Sequence, residues 1–181
     1  MIPKTPLLLF LGLSFQLGAT ECGVLRTVPI RLINDAAVQP KVMITAQQEA
    51  AYVLESLCVQ VEWAGSPATQ VPEMRIIAGQ LGPGITESAL GITILAAGRR
   101  NRGAVFFARV RAMEDVYGHL IDLGRLLGYV LAHEIGHLLL NSKAHSPEGV
   151  MIARFGEPEV LRAAQHRLIF TPSDREMFSR H

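Results

Sequence analysis

The chain has 181 residues, a length that suits one domain. Its formal net charge is +1, which excludes a global field that would draw it to nucleic acid or an anionic membrane. Hydrophobic residues make up 49% and charged residues 18%; that is apolar for a soluble domain, and part of the excess sits near the start of the chain.

That start reads as a secretion signal. Lys4 supplies a positive charge, Leu7 to Leu13 an apolar run, and Ser14 to Thr20 a smaller, more polar stretch. The apolar run is too short for a membrane span. Cleavage is expected after Ala19, giving a signal peptide over residues 1–19 and a single domain over 20–181, secreted or periplasmic. Cys22 also admits a lipoprotein reading, but Glu21 stands where a small residue is expected. Cys22 and Cys58 are the two cysteines. In an oxidising compartment they can pair and tie the mature N-terminus to the end of the first long helix; the alternative is two separate thiols. Neither lies near the histidine cluster in sequence, so neither is read as a metal ligand.

Thr27 to Ile33 alternates apolar positions at Val28, Ile30 and Leu32, which predicts a strand. Pro29 places it at a sheet edge or near its own start. Lys41 to Leu57 has helical spacing, with Ile44, Ala51, Leu54 and Leu57 as the expected buried stripe. Val59, Val61 and Trp63 predict a second strand, and Met74 to Ala78 a third. The glycine-rich segment Gly79 to Gly91 reads as loop. Ala89 to Ala96 and Ala104 to Val110 predict a hairpin joined through Gly98 to Gly103. From Glu114 a long helix is expected to run to about Leu140, with a break near Gly118. Gly118, Gly124, Gly128 and Gly136 weaken it, and Asn141 can end it, because asparagine tolerates the left-handed conformation. Pro158 to Arg167 and Pro172 to Ser179 predict two short helices. This order argues for an α+β fold: a mixed twisted sheet with a long N-terminal helix and a metal-binding helix packed on it.

The chemistry concentrates in H-E-I-G-H, His133 to His137. On a helix, positions i and i+4 share one face, so His133 and His137 can direct two nitrogen lone pairs at one Zn2+ ion. Glu134 follows the first histidine and can act as general base toward an attacking water. Three polar groups among Ala132, Ile135, Leu138 and Leu139 would cost stability without partners, and a metal is one such partner. A catalytic zinc usually has three protein ligands. His145, reached through a short polar stretch, is the leading third candidate. Glu157, twenty residues after His137, is the competing one and would give a thermolysin-like ligand set. Pro158 follows it, however, so it can equally favour the dipole of a helix start. His119, His166 and His181 lack ligand spacing to the pair. Tyr117 and Tyr129 as oxyanion stabilisers, and Glu114 and Asp122 as partners of a ligand, are not singled out by anything in the sequence.

The run H-E-I-G-H, His145 and a glycine-containing turn ending in Met151 resembles the metzincin metallopeptidases. The resemblance implies His133, His137 and His145 as ligands of one catalytic Zn2+. It implies Glu134 as general base and Met151 as the methionine of the turn beneath the metal. It also implies a peptide or protein substrate. The mature chain is further similar to small secreted bacterial metzincin-like proteins. Two departures stand out: Leu140 occupies the position of the family's glycine, and Lys143 that of its third ligand, with His145 two residues farther on. A longer turn, with Asn141 in the glycine's backbone role, would reconcile them. The expected function is a secreted zinc peptidase in which one exposed sheet edge aligns an extended peptide. The alternative from another class is a secreted zinc-binding protein without peptidase activity.

Overall fold

The computed structural model describes residues 22, 24–64, 71–79, 84–86, 88–95 and 101–180. The expected signal peptide, the start of the expected Gly98 to Gly103 connection, and His181 lie outside them. The described residues form a mixed α+β fold of five strands and five helices. In chain order these are β1 Arg26–Asn34, α1 Pro40–Glu55, β2 Val59–Trp63, β3 Glu73–Ile77, β4 Gly91–Ile94, β5 Arg102–Phe106, α2 Phe107–Tyr117, α3 Leu123–Leu139, α4 Glu157–Ala164 and α5 Pro172–Ser179.

The sheet order is β2-β1-β3-β5-β4; β4 pairs antiparallel with β5, and the other neighbours are parallel. Pro29 therefore lies in an inner strand, in the first half of β1; of the two expectations, an edge or a place near the strand's start, the second fits. The register explains how it is tolerated. Residues 26–30 of β1 pair with β2 and residues 31–34 with β3, so at Pro29 only one side of the strand has a neighbour.

α1 lies against α3, and both pack on the sheet, α1 by β2 and α3 by β4 and β5. The buried face of α1 is Ala46, Glu49, Ala50, Val53 and Leu54. Ile44, expected in that stripe, is 55% exposed, because contact with α3 sets the phase of the helix. Gly128 marks that contact: a Cβ there would stand 2.6 Å from the Glu49 Cβ and 2.8 Å from the Ala46 carbonyl oxygen. A residue that lowers helix propensity thus permits the close approach of the two helices. At the same place Glu49 is buried, with Arg125 Nε and His166 Nδ1 at 3.6 and 3.1 Å from its carboxylate.

The expected strand Ala104 to Val110 is corrected: β5 stops at Phe106 and residues 107–110 open α2. The apolar run across Phe106 and Phe107 fits either period, and the pairing of β5 with β3 ends at Phe106. The break near Gly118 separates α2 from α3. Asp122 restarts the chain as a helix by accepting the Arg125 N–H at 3.0 Å. α3 is buried along almost its whole length, with Leu126, Leu127, Leu131 and Ile135 fully enclosed. Each such side chain contributes about 1.5–3 kcal/mol through burial, so α3 is a rigid carrier for its polar residues.

The structure contains the disulfide Cys22–Cys58, which fastens the N-terminal segment to the turn after α1. Such a bond fits an extracellular protein.

Candidate metal centre

α3 ends as its sequence requires. Asn141 has φ +46°, and the Ser142 N–H donates to the His137 carbonyl at 3.3 Å. Asparagine thus fills the left-handed position where glycine is commoner. The chain then turns back and brings His145 to His133 and His137. One ring nitrogen from each of the three lies within 4.8 Å of the other two. His133 and His137 are buried and His145 is exposed.

Hydrogen bonds fix the protonation of the first two rings. His133 Nδ1 lies 2.7 Å from the Val150 carbonyl oxygen, and His137 Nδ1 lies 2.8 Å from that of Ser142. A carbonyl only accepts, so both Nδ1 atoms carry the hydrogen and both Nε2 atoms present lone pairs. Those Nε2 atoms face each other at 3.1 Å. Burial lowers the His133 pKa to about 3, aided by His137 and His145 and opposed by the Val150 hydrogen bond. Burial, followed by His145, lowers that of His137 as well. Two neutral lone pairs held face to face in a buried site repel unless an electrophile lies between them. The donor set, three imidazoles of which His133 and His137 are neutral and oriented through carbonyls, fits a zinc ion. Nitrogens bound tetrahedrally at about 2.0–2.1 Å stand roughly 3.3 Å apart.

The turn at Met151 packs against α3 at Gly136, and its Val150 carbonyl meets His133. Met151 is buried, and a Cβ on Gly136 would stand 2.5 Å from its sulfur. The turn is closed by Ser146 N–H to the Met151 carbonyl at 2.9 Å and by Val150 N–H to the Ile169 carbonyl at 3.0 Å. Gly149 has φ +76°, a conformation that a side chain would strain. Farther out, the Ser146 hydroxyl donates to Asp174 Oδ1 at 2.6 Å.

Glu134 lies in the same pocket as the three imidazoles. Thr93 donates its hydroxyl to Glu134 Oε2 at 2.7 Å. Burial raises the Glu134 pKa to about 7, and the Thr93 hydrogen bond opposes the rise. Gly91 makes room for the carboxylate: a Cβ there would stand 2.6 Å from Glu134 Oε1. The pocket has a volume of about 350 Å³. Residues 88–94 form one wall, and Ile152, Ala153 and Phe155 contribute apolar surface. Arg109 holds the approach to β4 by donating to the Thr86 and Ala89 carbonyls. The Phe106 N–H donates to the Leu90 carbonyl, and Ile92 and Ile94 stand opposite Ala104 and Arg102. By antiparallel alternation the peptide groups of Gly91 and Thr93 point to the outer edge of β4, which no strand among the described residues covers.

The other candidates lie elsewhere. Glu157 is exposed at the start of α4 and does not join the three-histidine group. His119 is exposed, and His166 faces Glu49. Asp122 caps α3. Tyr117 and Tyr129 do not line the pocket; Tyr129 is buried beside Glu49, and that burial raises its pKa. Of the glycine-rich loop, Thr86, Ser88, Ala89, Leu90 and Gly91 border the cleft. Nothing in the sequence singles out Thr93, Ser146, Asp174 or Arg109. Thr93 reads there as a strand residue, and Asp174 as part of a helix start.

No protein-family model matches the sequence, and no curated protein does. Among solved structures, the fold is similar to a zinc-dependent peptidase from Methanocorpusculum labreanum, with TM-score 0.57 and 17% identity over 82% of this chain and 99% of that one. A second similar structure is the GM1-bound form of the ECX AB5 holotoxin, with TM-score 0.43 and 14% identity over 84% of this chain and 80% of that one. The first likeness establishes the fold that the two chains share.

Proposed function

We propose that this protein is a secreted, metzincin-like zinc peptidase, with His133, His137 and His145 as ligands, Glu134 as general base and Met151 as the methionine beneath the metal. The single observation that carries the reading is the pair of buried imidazole nitrogens facing each other at 3.1 Å, with His145 and a carboxylate in the same pocket. A zinc ion held there would polarise the scissile carbonyl and acidify the attacking water. The fold neighbour's activity, a buried acid beside the three donors and the disulfide all favour the same reading. Secretion after cleavage of residues 1–19 accords with the disulfide.

The chain's own groups then have definite tasks. Glu134 Oε2 is anchored by Thr93, which leaves Oε1 to take the proton of the attacking water. In the metal-free protein burial raises the Glu134 pKa to about 7, so this carboxyl already holds a proton more tightly than an exposed one, as a proton shuttle requires. That proton goes to the departing amine as the carbon–nitrogen bond breaks. The outer edge of β4 offers the peptide groups of Gly91 and Thr93 to an extended substrate strand, which would bring its scissile bond alongside the imidazoles. The test is cleavage of a mixed peptide library by the zinc-loaded protein, with and without chelator, beside Glu134→Gln. Cleavage lost in both arms is expected; cleavage unaffected by either removes the proposal.

A further inference from the structure

Lys143 lines the pocket together with His133, His137, His145 and Glu134. Among the described lining residues it is the one lysine or arginine, and Glu134 is the one carboxylate. Lys143 is exposed and makes no hydrogen bond or ion pair among the described residues. Its charge is therefore uncommitted. It also stands in an unfavourable place for a cation, because the site beside it gathers neutral nitrogen donors suited to a dication. Like charges so placed weaken metal binding unless an anion comes between them. The remaining wall at Val130, Ile152, Ala153 and Phe155 is apolar and offers a carboxylate no other charged partner among the described residues.

We propose that the pocket selects peptides presenting a carboxylate next to the scissile bond, and that Lys143 is the residue that recognises it. The inference rests on the peptidase reading and names its substrate class. An ammonium is a point charge that accepts a carboxylate from several directions. The same chemistry thus covers two sources: an aspartate or glutamate side chain, and the free C-terminus of a short peptide. With the carboxylate seated, the Lys143 ammonium would be paired, and its repulsion toward a cation held by the three imidazoles would be offset.

The experiment compares peptides of one parent sequence. Glu or Gln is placed in turn at each position flanking the cleavage site, and each peptide is made with a C-terminal acid or a C-terminal amide. Zinc-loaded wild type and Lys143→Met are compared for kcat/KM. In parallel, the fluorescein-labelled peptides are titrated into zinc-loaded Glu134→Gln, with and without Lys143→Met, and Kd is read by anisotropy. A charge-assisted contact predicts a preference of about tenfold for Glu over Gln at one position, or for acid over amide, lost in Lys143→Met. The first pattern assigns the side-chain source and the second the chain terminus. Equal handling of charged and neutral peptides by the wild type overturns the proposal, as does a preference that survives Lys143→Met. If nothing is cleaved, the peptidase reading falls, and the binding arm still decides the recognition: a Lys143-dependent tenfold difference in Kd upholds it, and equal Kd values overturn it.

Discussion

The Ser146 hydroxyl and Asp174 Oδ1, 2.6 Å apart, tie the loop that carries His145 to the first turn of α5. Asp174 uses its second oxygen to accept from the Thr171 N–H and hydroxyl, each at 2.8 Å. One buried carboxylate thus caps a helix and steadies the neighbour of a proposed ligand. Removing each partner separates the two tasks. Ser146→Ala should weaken zinc binding about tenfold while the thermal midpoint falls only slightly. Thr171→Ala should cost about 1 kcal/mol of stability and spare most of the affinity. Competition with a chromogenic chelator and thermal melts measure the two effects.

Gly136 is where α3 meets the methionine turn. Alanine there gains helix propensity, worth about 1 kcal/mol. Its Cβ, however, would stand 2.5 Å from the Met151 sulfur and 2.8 Å from Phe170 Cε1. Overpacking of this kind costs about 1–3 kcal/mol, and the Met151 thioether and the Phe170 ring, both buried, leave little room to yield. Gly136→Ala should therefore be destabilised overall in denaturant titrations. It should also bind zinc more weakly, because Val150, next to Met151, orients His133.

Glu134 links catalysis to stability through pH. In the metal-free protein, burial lifts its pKa from 4.5 to about 7. Between those values the folded chain keeps a proton that the unfolded chain has released. The stability tied to that proton is complete below about pH 4.5 and is lost as pH rises through 7. Glu134→Gln removes the titration. Metal-free Glu134→Gln should melt about 3–8 °C above metal-free wild type at pH 8, and the gap should close toward pH 5. Two parallel melting curves across the pH range would contradict this. With zinc present, the same variant should keep the metal and lose about 10²–10⁴-fold in peptide cleavage.

The disulfide spans 36 residues of sequence. Chain-entropy arguments assign a loop of that size about 3–4 kcal/mol. The double variant Cys22→Ser, Cys58→Ser should lose an amount of that order in denaturant unfolding. Its zinc affinity should hold, since neither cysteine lines the pocket.

The elements carrying the metal motif were the easiest to read from sequence. The helical run around His133 and the left-handed Asn141 follow from local rules of spacing and capping. The phase of α1 did not, because Ile44 and Ala46 both fit an amphipathic stripe and only packing against Gly128 decides between them. The passage from β5 to α2 was misread for a related reason: residues 104–110 are apolar enough for either period, and the end of strand pairing sets the boundary. Within the site, Thr93 and Asp174 are invisible in sequence because their roles depend on distant partners, Glu134 and Ser146, that only the fold brings within reach.

Zinc content of the purified chain and its point variants tests the central claim most directly. The wild type is expected to hold one zinc per chain, removable by chelator. His133→Ala, His137→Ala and His145→Ala should each fall well below one, while Glu157→Ala keeps a full complement. Zinc retained by His145→Ala and lost from Glu157→Ala, or no zinc bound by the wild type, would contradict the account.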